Sequence, residues 1–252
     1  MKLVLPFNIF TGLLTDNLEP ALKKEIIFHP SSLITSEVKK DENCIGLIPT
    51  LDLLKNSDLY ISKKHGIAFE GSLCNSYIYF KPGEKNLNEF SLFGDVSSLE
   101  VILSKILFKE IYNTDIQIEI LTSESKLHHK NLVIVGNKNF EDEGFLSGIS
   151  FSEEVIESLS LPFVNYVFAS KDKNILGKFD EKLKNIGNKV YKNVEEYDFG
   201  KNLTKKTKEY IKTNISSLIL DFELNDIEGI DQLLRLPYYH GIVNDIAEIK
   251  FV

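Results

Sequence analysis

Apolar residues along the chain fall into short runs of four to six, broken by polar, glycine or proline positions, and these alternate with stretches of helical spacing. Residues 2–6 read as a strand, 11–18 as a helix, 25–29 as a strand and 31–39 as a helix. The continuous apolar run 44–48 reads as a buried strand, and Pro49-Thr50 opens a helix through residue 55. Strand-helix alternation of this kind implies right-handed crossovers and a parallel sheet, which makes a first α/β lobe.

Strands at 66–70 and 76–81 follow, then Lys81-Pro82-Gly83-Glu84, a turn signal where the composition becomes polar. We place a crossing between lobes there. A strand at 90–95, a long helix at 98–112 and strands at 116–121 and 132–136 make a second, smaller α/β unit. After a helix near 153–159, the run 161–169 reads as a strand that returns the chain to the first lobe. The rest is helix-rich, with amphipathic spacing at Ile175, Phe179, Leu183 and Ile186, then at Leu203, Tyr210 and Ile211, and a final helix after Asn225 ending near Pro237. The expected organisation is therefore residues 1–82 plus 163–252 as one lobe, with 83–162 inserted as the other. Two such crossings set a cleft between the lobes, the usual place for a ligand.

Of the 252 residues, 43% are hydrophobic and 26% charged, enough to bury a real core. Acidic residues outnumber basic ones by 37 to 29, and no basic block is present, so the chain has no face for nucleic acid. The opening apolar stretch is interrupted by Pro6, Asn8 and Thr11 and has no small-residue cleavage site. No other apolar run is long enough to span a membrane, so a cytoplasmic protein is expected. Arg235 is the only arginine. Without arginine's bidentate fork, an anion would have to be held by lysine, hydroxyls or the free N–H groups of helix starts. Cys44 and Cys74 sit in apolar, strand-like runs and read as buried reduced thiols. No Cys/His cluster has metal-ligand spacing and no glycine loop can cradle phosphate, so neither metal nor cofactor is expected.

Two segments carry candidate chemistry. Ser97 and Glu100 have capping-box spacing at the start of the 98–112 helix, and the hydroxyls of Ser97 and Ser98 suit an anionic oxygen. Glu70-Gly71-Ser72-Leu73-Cys74-Asn75-Ser76 combines a glycine with small polar groups and lets backbone approach a ligand closely. The His128-His129 pair lies in a charged stretch and reads as solvated. His65 and His240 have no nucleophile or carboxylate at an informative spacing.

Several segments, in order, resemble the menaquinone-biosynthesis family that includes chorismate dehydratase of the futalosine pathway. They are Ile45-Gly46-Leu47-Ile48-Pro49, Gly66-Ile67-Ala68-Phe69-Glu70-Gly71 with Asn75-Ser76, the Ser97-Ser98 helix start, the 132–136 strand and Leu161-Pro162-Phe163. The resemblance covers nearly the whole chain. It implies a periplasmic-binding-protein type II-like fold of two α/β lobes with a central cleft and, for the dehydratase branch, elimination of water from chorismate to give 3-[(1-carboxyvinyl)oxy]benzoate. It makes Ser76 a substrate contact.

The departures from the family pattern bear on activity. The family's asparagine after the first strand falls on Phe10 in an ungapped alignment and on Asn8 when the register shifts by two. Thr11 lies in the same stretch. Leu99-Glu100 replaces the usual Thr-Ser pair, and Asn137 replaces an aspartate. The expected ligand contacts are therefore Ser76, Ser97, Ser98, Asn75, Phe10, Thr11 and Asn137, with Asn8 catalytic only in the shifted alignment. Two functions stay open. One is a lyase-like protein acting on chorismate or a related enol-pyruvyl carboxylate; the other is a non-catalytic protein that binds a small carboxylate. Asn8 facing the cleft favours the first, and Phe10 filling it favours the second. The oligomeric state is left open.

Overall fold

The computed structural model describes residues 1–84 and 86–252; the side chains of residues 126, 128 and 129, and so those of the His128-His129 pair, lie outside the described residues. The chain builds four strands of a first sheet, β1 (Lys2–Pro6), β2 (Ile26–His29), β3 (Cys44–Pro49) and β4 (Tyr60–Phe69). It then makes a second sheet from β5 (Ser76–Tyr79), β6 (Glu89–Gly94), β7 (Gln117–Leu121), β8 (Leu132–Val135) and β9 (Ile149–Ser150). It returns through β10 (Phe163–Ser170), β11 (Leu218–Asp221) and β12 (Lys250–Phe251).

The first sheet runs in the order β11-β4-β10-β3-β1-β2, with β12 also beside β4. β1 pairs in parallel with β2 and β3, whereas β10 is antiparallel to both β3 and β4. The sheet is therefore mixed, because the returning strand inserts between two strands of the first pass. The second sheet runs β7-β6-β8-β5-β9. β3 and β10 are buried along their whole length, as their largely apolar sequences, interrupted in β10 by Asn165, require of strands covered on both faces.

The crossing expected near residue 82 lies earlier. β5 already pairs with β8 in the second sheet, so the chain leaves the first lobe between Phe69 and Ser76, and the Pro82-Gly83 turn lies inside the second lobe. The reason is physical: Glu70-Gly71-Ser72 followed by the buried Leu73, Cys74 and Asn75 reads as an ordinary turn between two strands, while the more polar turn at 81–84 is only a connection between β5 and β6. Cys74 accordingly lies in the crossing and not in a strand; both cysteines are free and buried. The chain re-enters the first sheet at Phe163. The region after residue 170 read as helical also contains β11 and β12, whose four and two residues are too short to show a period. One continuous apolar core runs through both lobes. Among the described residues no helix is long and apolar enough to cross a membrane.

Candidate functional site

The lobes meet along a line of polar contacts at strand ends. Asn8 ends the β1 turn and caps the helix Ile9–Asp16: its Oδ1 accepts from Thr11 N at 2.9 Å, while Asn8 N donates to Thr11 Oγ1 at 3.1 Å. Thr11 Oγ1 also donates to Pro6 O at 2.7 Å. Thr11 is thereby committed to the cap and is buried. The next residue, Ile9, donates its N–H across the cleft to Asn137 Oδ1 at 2.9 Å. Asn137 thus ties the lobes together.

Phe10 faces the other way around the same helix. Its ring sits 4.8 Å from that of Phe69 at the first crossing and 5.8 Å from that of Phe140 in the second lobe, both edge to face. The seam continues through Tyr77 to Phe140 and through Phe145 stacked on Tyr210. Phe10 fills the space between lobes with ring and offers no hydrogen bond.

Between the lobes, Asp95 follows β6 and reaches the start of the helix Ser31–Lys40. Its Oδ1 accepts from Ser31 N at 2.8 Å and its Oδ2 from Ser31 Oγ at 2.6 Å. Tyr166, on β10, places its hydroxyl 2.9 Å from Ser31 Oγ, and Asn75 Nδ2 donates to that hydroxyl at 3.4 Å. Burial holds the Tyr166 phenol well above its ordinary range, so it stays neutral. Asn75 O accepts from Gly136 N at 2.8 Å, which sets Asn75 beside the end of β8. Asp95, Ser31, Tyr166 and Asn75 are thereby hydrogen-bonded in series between the lobes, and Asn137, next to Gly136, carries the contact on to Ile9 beside Asn8.

The serines at the other helix start are engaged by the chain's own carboxylates. Ser97 Oγ donates to Glu100 Oε2 at 2.6 Å, and Ser97 N donates to the same oxygen at 2.9 Å. Ser98 Oγ crosses the cleft to Asp52 Oδ1 at 2.5 Å, and Thr35 Oγ1 donates to Asp52 Oδ2. Burial raises the Glu100 pKa despite the hydrogen bonds from Ser97, which favours a neutral acid. Ser97 therefore serves the cap of the helix Ser98–Tyr112, and Ser98 serves contact between lobes.

Four buried side chains near these contacts keep an atom without a partner: Asn8 Nδ2, Asn75 Oδ1, Ser76 Oγ and Glu100 Oε1. Proteins seldom bury a polar atom unpaired, and a water or a ligand group would satisfy each of these. Three of these, Asn8, Asn75 and Ser76, are residues the sequence marks as site candidates. The sequence reading did not select Ser31, Asp95, Asp52 or Tyr166. Pro30-Ser31-Ser32 after a strand is the one signal that pointed to a helix start there.

No family model matches this sequence, and no curated protein does. Solved structures do share its shape. The alkanesulfonate-binding protein SsuA from Xanthomonas axonopodis pv. citri, bound to MOPS, superposes with a TM-score of 0.66 at 11% identity, covering 100% of this chain and 97% of that one. Protein AF1704 from Archaeoglobus fulgidus gives 0.61 at 9% identity, over 96% and 98% of the two chains. The periplasmic aliphatic sulphonate binding protein SsuA from Escherichia coli gives 0.59 at 11% identity, over 99% and 95%. At these identities the likeness concerns shape alone: the chain has the two-lobed α/β fold of the periplasmic solute-binding proteins.

Proposed function

We propose that this protein binds a small carboxylate-bearing molecule between its lobes and does not turn it over. The observation that carries the reading is the polar neighbourhood of Ser31, Tyr166, Asn75 and Asn8, in which Asn75 Oδ1 and Asn8 Nδ2 are buried without partners. Asn8 Nδ2 can donate to an anionic oxygen and Asn75 Oδ1 can accept from a hydroxyl of the ligand, while the N–H and hydroxyl of Ser31, of the kind that suits an anionic oxygen, are held by Asp95. That the neighbours include proteins named for binding sulphonates agrees with an anion in this fold. The resemblance to the menaquinone-biosynthesis family makes chorismate, or a related enol-pyruvyl carboxylate, the first ligand to try.

Phe10 speaks against catalysis. In the ungapped alignment it replaces an amide, and it lies in the aromatic seam where no donor can stabilise developing charge. A second reading, elimination of water from chorismate, has one observation in its favour: Asn8, the amide of the shifted alignment, keeps Nδ2 unpartnered. The test is to incubate the purified protein with chorismate and follow 3-[(1-carboxyvinyl)oxy]benzoate by chromatography beside a bona fide chorismate dehydratase. We expect no product above background; turnover comparable to the control would replace binding with catalysis.

A further inference from the structure

A cavity of about 630 Å³ lies against both crossings between the lobes, and none of Ser31, Tyr166, Asn75 or Asn8 lines it. Phe69 and Glu70 contribute from the first crossing, and Ser160, Leu161 and Pro162 from the second. The helix Ile186–Asn193, the end of β11 and the start of the helix Leu224–Tyr239 line it too. A space of this size where two lobes join is suited to a small organic molecule.

Four carboxylates line the cavity, and three are held in place by backbone. Glu223 and Asp226 form the capping box of the helix Leu224–Tyr239, with Glu223 N donating to Asp226 Oδ2 at 2.9 Å. Further along that helix, a Cβ on Gly229 would lie 2.8 Å from the Cβ of Pro162, so glycine lets the helix rest on the second crossing. Asp221 ends β11, where its Oδ2 accepts from Gly187 N at 3.0 Å and its Oδ1 lies 3.4 Å from His65 Nε2. Glu70 is the fourth. Among the described residues no lysine, arginine or histidine lines the cavity. Burial raises the Asp226 pKa, and the charges of Glu223 and Glu70 add to the rise, which shows that these acids repel one another. A metal ion is not the remedy, because among the described residues no three His, Cys, Asp or Glu side chains converge on a metal site. Much of the remaining wall is apolar, from Ile156, Leu161, Pro162 and Ile219.

We propose that this cavity binds an organic ammonium ion, with the charged end among Glu70, Glu223 and Asp226 and the apolar body against Ile156, Leu161, Pro162 and Ile219. His65 stands behind Asp221 and partly compensates it, which leaves the other three carboxylates as the acceptors. An ammonium group carries three donors and can satisfy several carboxylates at once. The apolar wall separates this ligand from an inorganic cation, and the acids separate it from a neutral alcohol. The site is independent of the carboxylate reading given above: its ligand has the opposite charge and touches different residues.

The experiment follows the backbone amide resonances of the full chain at about pH 7, where the amines are protonated, while butyl-, pentyl- and hexylammonium chloride are added. We expect saturable shifts at Gly187, Leu161, Ile219 and Leu220, with affinity rising about three- to fourfold per added methylene. At matched ionic strength, hexanoate and magnesium chloride should give no such shifts, and 1-hexanol should bind at least about tenfold more weakly than hexylammonium. The double variant Glu70→Gln/Glu223→Gln should weaken hexylammonium by roughly tenfold. No saturable shift with any of the three amines, equal binding of 1-hexanol, the same shifts with magnesium, or wild-type affinity in the folded double variant would overturn the proposal. If the double variant loses its dispersed spectrum, Glu70→Gln alone decides, because Glu70 is exposed and stands outside the capping box. It should weaken hexylammonium about threefold, and unchanged affinity would overturn the proposal. Chorismate added to a separate wild-type sample tests the proposed function at other amides, so either result can fail without the other.

Discussion

Phe10 and Phe140 meet edge to face, ring centroids 5.8 Å apart and planes at 79°, so the first helix of one lobe is seated on the short helix Lys138–Glu141 of the other. Phe10 is also in edge contact with Phe69 at the first crossing. Truncation removes a buried ring from three elements together, and Phe10→Ala should cost about 3–5 kcal/mol. Phe10→Leu, which keeps most of the volume, should cost about 1–2 kcal/mol. Urea unfolding with an unchanged dependence on denaturant checks both; equal stability of Phe10→Ala and wild type would remove the seam from the account.

Ser97 closes a capping box with Glu100. Ser97→Ala should therefore lower stability by about 1 kcal/mol and leave carboxylate affinity unaltered. Calorimetric titration of the folded variant separates the two effects, and a tenfold loss of affinity would return Ser97 to the binding site.

Glu100 is wholly buried, and burial raises its pKa above the ordinary 4.5. The folded state then holds the proton more tightly than the unfolded chain, so stability declines as pH rises from about 4.5 toward the raised value. Glu100→Gln, which copies the neutral acid, should abolish this part of the slope. Urea midpoints at pH 5 and pH 8 read it directly, and a variant with the wild-type slope would show that Glu100 does not hold the proton.

His65 lies between two carboxylates, with Nδ1 3.0 Å from Asp180 Oδ1 and Nε2 3.4 Å from Asp221 Oδ1. Burial works to lower its pKa, but the hydrogen bonds to Asp180 and Asp221 outweigh it and the net shift is upward from 6.5. The imidazolium therefore contributes stability that is fully present below about pH 6.5 and is lost as pH rises through the folded-state pKa. His65→Gln should flatten the stability profile over that window. Nuclear magnetic resonance titration of the ring checks the direction, and a midpoint below 6.5 would contradict it.

The helix Ser98–Tyr112 was legible to the residue, because its start is written locally as a capping box and its period is long enough to read. So were β1 and the two fully buried strands β3 and β10, to within a residue or two, through their largely apolar runs. The crossing between lobes was legible only as a turn, because Glu70-Gly71-Ser72 before the buried Leu73 and Cys74 look the same whether the next strand joins the same sheet or another. Asn75 and Ser76 could be marked from the sequence as small polar groups beside a glycine, and Asn8 and Asn137 only through the family resemblance. The role of Asp95 could not, since its partner Ser31 is 64 residues distant and no local pattern records which helix start lacks a cap. Asn8 and Phe10 explain why the two alignments compete: one residue caps the helix and the other packs its next face, and both lie at the junction of the lobes.

The central claim is that this protein binds a small carboxylate-bearing molecule between its lobes, beside Ser31, Tyr166, Asn75 and Asn8. Calorimetric titration of wild type and folded Ser31→Ala with chorismate tests it most directly. We expect saturable binding by wild type, weakened by about ten- to a hundredfold in Ser31→Ala, since a hydrogen bond to a charged group is worth about 1.5–3 kcal/mol. Absence of binding by wild type, or equal affinity in the variant, would contradict the assignment.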